Sequence, residues 1–127
     1  MAPITTLYAG LLGVLFMLLS YLVVRARQRF KINLGMGPEG QLEREIRVHG
    51  NFVEYTPLFI LLLLLAELGA APPYLLHGAG ASYVVARILH AIGLTRSAGE
   101  SMGRFWGTLL TWVLILGLSI YLIFKSF

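Results

Sequence analysis

An all-α, integral membrane four-helix bundle is expected from three features of the chain. Only 13% of the residues are charged and 57% are hydrophobic, whereas soluble domains carry about 25% charged residues. No charged side chain occurs from Met1 to Val24 or from Phe105 to Phe124, and each run reaches the roughly 20 residues that cross a bilayer. Two more apolar runs lie between them and contain a few ionisable groups, which brings the expected spans to four, at about residues 4–24, 48–71, 74–94 and 105–124. A chain of 127 residues leaves no room beside them for a soluble domain, so any chemistry sits among the helices or between subunits.

The first run reads as a retained span. It has no basic segment ahead of it, it is longer than the apolar core of a signal peptide, and Arg25, Arg27, Arg29 and Lys31 follow it. Of these, Arg25, Arg29 and Lys31 are expected to snorkel to the lipid surface. The connection from Gln28 to Gln41 is long and contains Gly35, Gly37, Pro38 and Gly40, so it can fold over the mouth of a site. The second run is interrupted by Glu54 and Glu67, and Pro57 removes the amide donor to the carbonyl of Val53 and can bend the span. Glu67, near the outer end, is expected to be solvated or interfacial. A double-proline turn from Gly69 to Pro73 fits a tight antiparallel pair.

The third run is interrupted by His77, Arg87 and His90. Its connection to the fourth, Thr95 to Arg104, reads as a flexible link containing Arg96, Ser97, Gly99, Glu100, Ser101 and Gly103. Gly10 with Gly13, and Gly103 with Gly107 at GxxxG spacing, permit close approach of helices. Tyr8, Tyr21, Trp106, Trp112 and Tyr121 are expected at span ends or on lipid faces, as an aromatic belt.

Basic residues flank the first connection (Arg25, Arg27, Arg29, Lys31, Arg44 and Arg47) and the third (Arg96 and Arg104), with none in the second. This bias orients both toward the cytoplasm and both termini outward. The net charge of +4 is explained by anionic lipid head groups, and nucleic acid is not an expected partner. The chain has no cysteine, hence no disulfide framework, no thiolate metal site and no sulfur nucleophile of its own. No metal site is expected.

The residues that carry chemistry fall where the second span begins. Arg44, Arg47, Asn51 and Glu54 occur at i, i+3, i+7 and i+10, one stripe on a helix. Ionisable groups at mid-span cost ~2.5–3.5 kcal/mol each on insertion scales, so they turn toward a partner, a cavity or water. Arg pairs bidentately with carboxylates, Glu accepts from an ammonium, and Asn serves both sides of a peptide group. Such a row suits a zwitterionic, peptide-like ligand. Ordinary i+4 pairs, Glu43 with Arg47 and Arg47 with Asn51, are the structural alternative. Arg87 is open between structural pairing and ligand contact. His90 is open between packing, proton acceptance and ligand contact, and His49 is expected at the interface.

The run Glu43-Arg44-x-x-Arg47-x-x-x-Asn51-x-x-Glu54-Tyr55-x-Pro57-Leu58 resembles the second-helix signature of the membrane-associated proteins in eicosanoid and glutathione metabolism, the MAPEG family. Arg27-x-x-Phe30, Ala86-Arg87, Gly93 and Arg104 extend the likeness along the chain. His49-Gly50 and His90-Ala91-x-Gly93 resemble the short bacterial branch.

The resemblance implies a multi-pass protein of a bacterial inner membrane. It implies a homotrimer that binds glutathione as co-substrate at each subunit interface, near the cytoplasmic face. It further implies that Arg44, Arg47, Asn51, Glu54 and Tyr55 hold glutathione: Arg47 on a carboxylate, Asn51 on the tripeptide backbone and Glu54 on the γ-glutamyl ammonium. Arg27 is expected to reach in from span one, and Arg87 with His90 from span three.

Arg104 is the match for the arginine that stabilises the glutathione thiolate, and a lipophilic electrophile or lipid hydroperoxide is the second substrate. An ungapped comparison puts Ser101 at that arginine's place, Arg96 is a competing candidate, and His90 and Leu94 stand where mammalian members carry tyrosines. A non-catalytic module that binds a lipid or an anion is the alternative within the same fold. A carrier with Glu54, Arg87 and His90 as a proton relay is a third reading.

Overall fold

A computed structural model describes residues 1–96 and 102–127. Its helices are α1 (Pro3–Phe30), α2 (Glu43–Leu68), α3 (Pro73–Arg96) and α4 (Met102–Lys125), with a 3-10 turn at Pro38–Gly40. All four are long and apolar enough to cross a membrane. Among the described residues the fold is all-α, as expected, and α2 packs against each of the other three helices.

The boundaries differ from the hydropathy reading in ways that matter for the site. α1 and α2 run past their apolar segments, so Arg25, Arg27 and Arg29 extend the end of α1 and Arg44 and Arg47 lie on α2 itself. Apolarity measures bilayer depth, whereas the helix continues for as long as its backbone is paired. At its carboxyl end α2 stops at Leu68, short of the expected residue 71, because Ala70 adopts a left-handed conformation (φ 58°) and Pro72 and Pro73 disfavour helix in the residues before them. The third connection is shorter than expected, since Thr95 and Arg96 belong to α3 and Gly103 and Arg104 to the first turn of α4. Ser97, Gly99, Glu100 and Ser101 lie outside the described residues, as do the side chains of Leu94, Thr95 and Arg96.

α1 starts with Pro3 at its first position, where a missing amide hydrogen does no harm. Its next two amides find a partner from another helix: Ile4 N and Thr5 N donate to the Glu67 carboxylate at 2.9 and 2.6 Å. Glu67, only partly buried at the end of α2, is therefore also an inter-helix cap, a specific partner that the expectation of a solvated or interfacial group did not include. Replacing Glu67 with alanine should lower stability by about 1 kcal/mol, the usual effect of losing an N-terminal cap. The thermal unfolding midpoint of detergent-solubilised protein measures this, and an unchanged midpoint would show the clamp to be idle.

The far end of α1 closes with Ile32 N bonded to Arg27 O (3.0 Å) and Lys31 N to Gln28 O (3.3 Å), a Schellman arrangement with Lys31 in the left-handed region. Phe59 and Tyr83 stack at 3.7 Å in the core, among Leu12, Leu63 and Leu76. Tyr8 is buried, against the belt expectation: its hydroxyl lies 3.1 Å from His77 Nδ1 and 3.1 Å from the His77 carbonyl oxygen, and its ring fills the space beside Gly80. Tyr21 and Trp106 are exposed, as a belt requires.

The two glycine pairs behave differently. A Cβ on Gly103 or Gly107 would strike the backbone of α3, at 2.9 Å from Leu89 O and 2.7 Å from Ala86 O respectively, whereas Gly10 and Gly13 have nothing within 4 Å. The tight α3–α4 contact thus needs Gly103 and Gly107, while Gly10 and Gly13 mediate no close approach within the protomer.

Candidate functional site

The α2 stripe opens onto a cavity of about 460 Å³ at the end of the bundle that carries most of the basic residues. Arg44, Arg47, Asn51 and Tyr55 of α2 form one wall. His90 of α3 lies deeper, and Arg104, Thr108 and Trp112 of α4 face the stripe. Gly40 and Glu43, where the first connection joins α2, complete the rim. Three guanidinium groups and one carboxylate therefore surround the space, a positive site among the described residues.

Helical periodicity explains which side chains enter. At about 100° per residue, Val48, Phe52, Thr56, Phe59 and Leu63 form the buried face of α2. Tyr55 borders that face and lines the cavity, whereas Glu54 shares the face of Arg47 but lies about two turns further along α2, where it is exposed and outside the cavity lining. The expectation that Glu54 shares the cavity with Arg47 and Asn51 is thereby corrected within one protomer. α2 continues as helix through Pro57.

Two more expected contacts are reassigned. Arg27 donates to the carbonyls of Gly35 (3.1 Å) and Ile32 (3.5 Å), so its guanidinium braces the first connection instead of lining the cavity. Arg87 is 1% exposed and sits behind the wall: its Nη2 donates to Asn51 Oδ1 at 2.7 Å and its Nη1 to Thr111 Oγ1 at 3.4 Å. The Phe52 ring lies 5.8 Å from its guanidinium carbon. His90, 3% exposed, reaches the cavity with Nδ1 unpartnered. His49 turns away to α1, where its Nε2 lies 3.0 Å from Ser20 Oγ.

Sequence reasoning missed Thr108 and Thr111 and gave Glu43 and Trp112 other roles. A signal existed: Arg104, Thr108 and Trp112 recur at i, i+4 and i+8, one face of a helix. Read as a loop residue, Arg104 has no such face. Trp112 is more than half exposed yet also lines the cavity, so a belt position does not fully describe it.

Four membrane-crossing helices enclosing a cationic cavity at one end define an integral, multi-pass membrane protein with a ligand-sized polar site. Residues 5–124 match the model of the MAPEG family, and the chain belongs to that family. It is 36% identical over 115 residues, 87% of this chain and 88% of the relative, to the inner membrane protein YecN of Escherichia coli strain K12. The YecN protein of Escherichia coli O6:H1, strain CFT073, matches with the same identity and coverage.

Proposed function

We propose that the cavity binds glutathione and that the protein is a glutathione-dependent transferase or peroxidase acting on lipophilic electrophiles or lipid hydroperoxides. The observation that carries this reading is the convergence of Arg44, Arg47, Asn51 and Tyr55 from α2 with Arg104 from α4 on one cavity of about 460 Å³, a volume typical of small-molecule sites. Arg47 pairs with a glutathione carboxylate, Asn51 with the tripeptide backbone, and Arg104 faces the sulfur.

A free thiol of pKa about 8.5 is mostly protonated at neutral pH, and a fixed guanidinium favours the thiolate. The thiolate then attacks an electrophilic carbon to form a C–S bond, the leaving group taking the electron pair. With a hydroperoxide it attacks the terminal oxygen, giving an alcohol and a sulfenic acid that a second glutathione converts to disulfide and water.

The reading includes a homotrimer in a bacterial inner membrane, with the site toward the cytoplasm. In it Glu54, exposed on one protomer, meets the ammonium of a ligand held next to a neighbouring copy. Membrane lipids surround the assembly and deliver the lipophilic substrate.

Calorimetric titration of detergent-solubilised protein with glutathione tests the reading. Arg47→Ala should weaken binding about tenfold or more, the loss expected for a charge-assisted pair. Absence of binding, or unchanged binding after joint replacement of Arg47, Asn51 and Glu54, overturns it. The excess of guanidinium groups over Glu43 also suits a second reading, a non-catalytic module that clamps a lipid or an anion. Thiolate ultraviolet absorbance on adding glutathione separates the two, because a clamp leaves the sulfur protonated.

A further inference from the structure

We propose that Arg87 is a positioning residue that fixes the polarity of Asn51 and so determines which hydrogen-bonding face of a ligand the cavity accepts. A guanidinium has only donors, so the Asn51 atom 2.7 Å from Arg87 Nη2 has to be the amide oxygen. The flipped amide would set N–H against N–H at that distance. With the oxygen turned into the bundle, the group left for the cavity is the NH₂, and Asn51 meets a ligand as a donor.

Arg87 is itself held in place. Thr111 Oγ1 donates to the Gly107 carbonyl at 2.8 Å, which spends its only hydrogen and leaves a lone pair toward Arg87 Nη1 at 3.4 Å. Hydrogen bonds thus run in one direction outward from Arg87, to Asn51 on α2 and to Thr111 on α4, and Thr111 passes its own to backbone. Arg87 Nε is buried without a partner. A buried cation with an unused N–H is costly where an aliphatic side chain of similar volume would pack, so the residue is poorly explained as packing alone.

The cavity wall formed by Arg44, Arg47, Asn51 and Arg104 consequently presents donors, and a ligand must bring a carbonyl or carboxylate to Asn51. This specificity deepens the glutathione reading and rests on it for the ligand's identity, but the Asn51 orientation does not depend on any ligand.

The chain has two asparagines, Asn33 and Asn51, so ¹⁵N-asparagine labelling yields two side-chain amide signals, assigned with Asn33→Ala. In ligand-free protein the Asn51 signal should be alike in wild type and Arg87→Lys and should shift and broaden in Arg87→Met. An Asn51 signal identical in wild type and a folded Arg87→Met protein overturns the proposal whether or not glutathione binds. A response to Arg87→Met without any heat of glutathione binding supports the positioning role and removes only the ligand assignment.

In the binding assay Arg87→Met should weaken glutathione about tenfold yet cost nothing further in an Asn51→Ala background. An equal loss in both backgrounds marks a merely structural residue and overturns the proposal. If Arg87→Met does not fold, Asn51→Asp decides: it keeps an acceptor toward Arg87 and replaces only the cavity-facing donors. It should bind glutathione at least about tenfold more weakly, and undiminished affinity overturns the proposal.

Discussion

Replacing Arg104 with alanine is expected to lower glutathione-dependent turnover by about 10²–10³-fold, the usual effect of removing one donor that stabilises a developing anion. Affinity for glutathione should change by less than about threefold, because in the proposed function Arg104 acts on the ionised sulfur rather than on the groups that anchor the tripeptide. The geometry favours this split. Arg44, Arg47 and Asn51 stand on the α2 wall, while Arg104 faces them from the first turn of α4, where the amino end of the helix adds partial positive charge. The thiolate absorbance that appears on adding glutathione to wild type should be missing in Arg104→Ala. Absorbance retained in Arg104→Ala but lost in Arg96→Ala would assign the thiolate to Arg96. The helical placement of Arg104, with Thr108 and Trp112 on the same cavity face, is the reason for expecting the first result.

Gly107→Val should be the most damaging single change to the bundle. Alanine in place of a mid-helix glycine is ordinarily favourable by roughly 0.5–1 kcal/mol. At Gly107 the added Cβ would lie 2.7 Å from both Ala86 O and His90 N and 2.8 Å from His90 Cβ, and backbone atoms cannot rotate aside. Even Gly107→Ala is expected to destabilise, and valine to cost about 1–3 kcal/mol or more through overpacking. Gly117→Ala on the same helix, with nothing within 4 Å, should be neutral or stabilising and serves as the control. Pushing α4 from α3 also stretches the Thr111–Arg87 contact and moves Arg104 from the stripe, so glutathione affinity should fall together with the unfolding midpoint. A Gly107→Val protein as stable as the Gly117→Ala control would contradict the close α3–α4 contact.

Much of this architecture is legible in the chain because bilayer crossing is a local property. Charge-free runs mark α1 and α4, the double proline marks the turn between α2 and α3, and a 3.6-residue period brings Arg44, Arg47 and Asn51 onto one face. Contacts between helices are not legible in the same way. Arg87 finds Asn51 at a separation of 36 residues and Thr111 at 24, and no local pattern links the three. Tyr8 resembles a belt aromatic until Gly80 on α3 leaves it a space. Glu67 looks merely solvated or interfacial until the first amides of α1 give it a partner.

The chain alone thus determined that the protein spans the membrane four times and that α2 carries a polar row, since hydropathy and helical period depend only on neighbours in sequence. Only the packing decided that Tyr55 rather than Glu54 shares the cavity and that Arg104 closes it from α4. It also decided that Arg87 stands behind Asn51 instead of lining the cavity. Those outcomes depend on which side of α2 faces its neighbours, and that side is chosen by the fit of glycine to backbone and of aromatic rings to the core across helices distant in sequence.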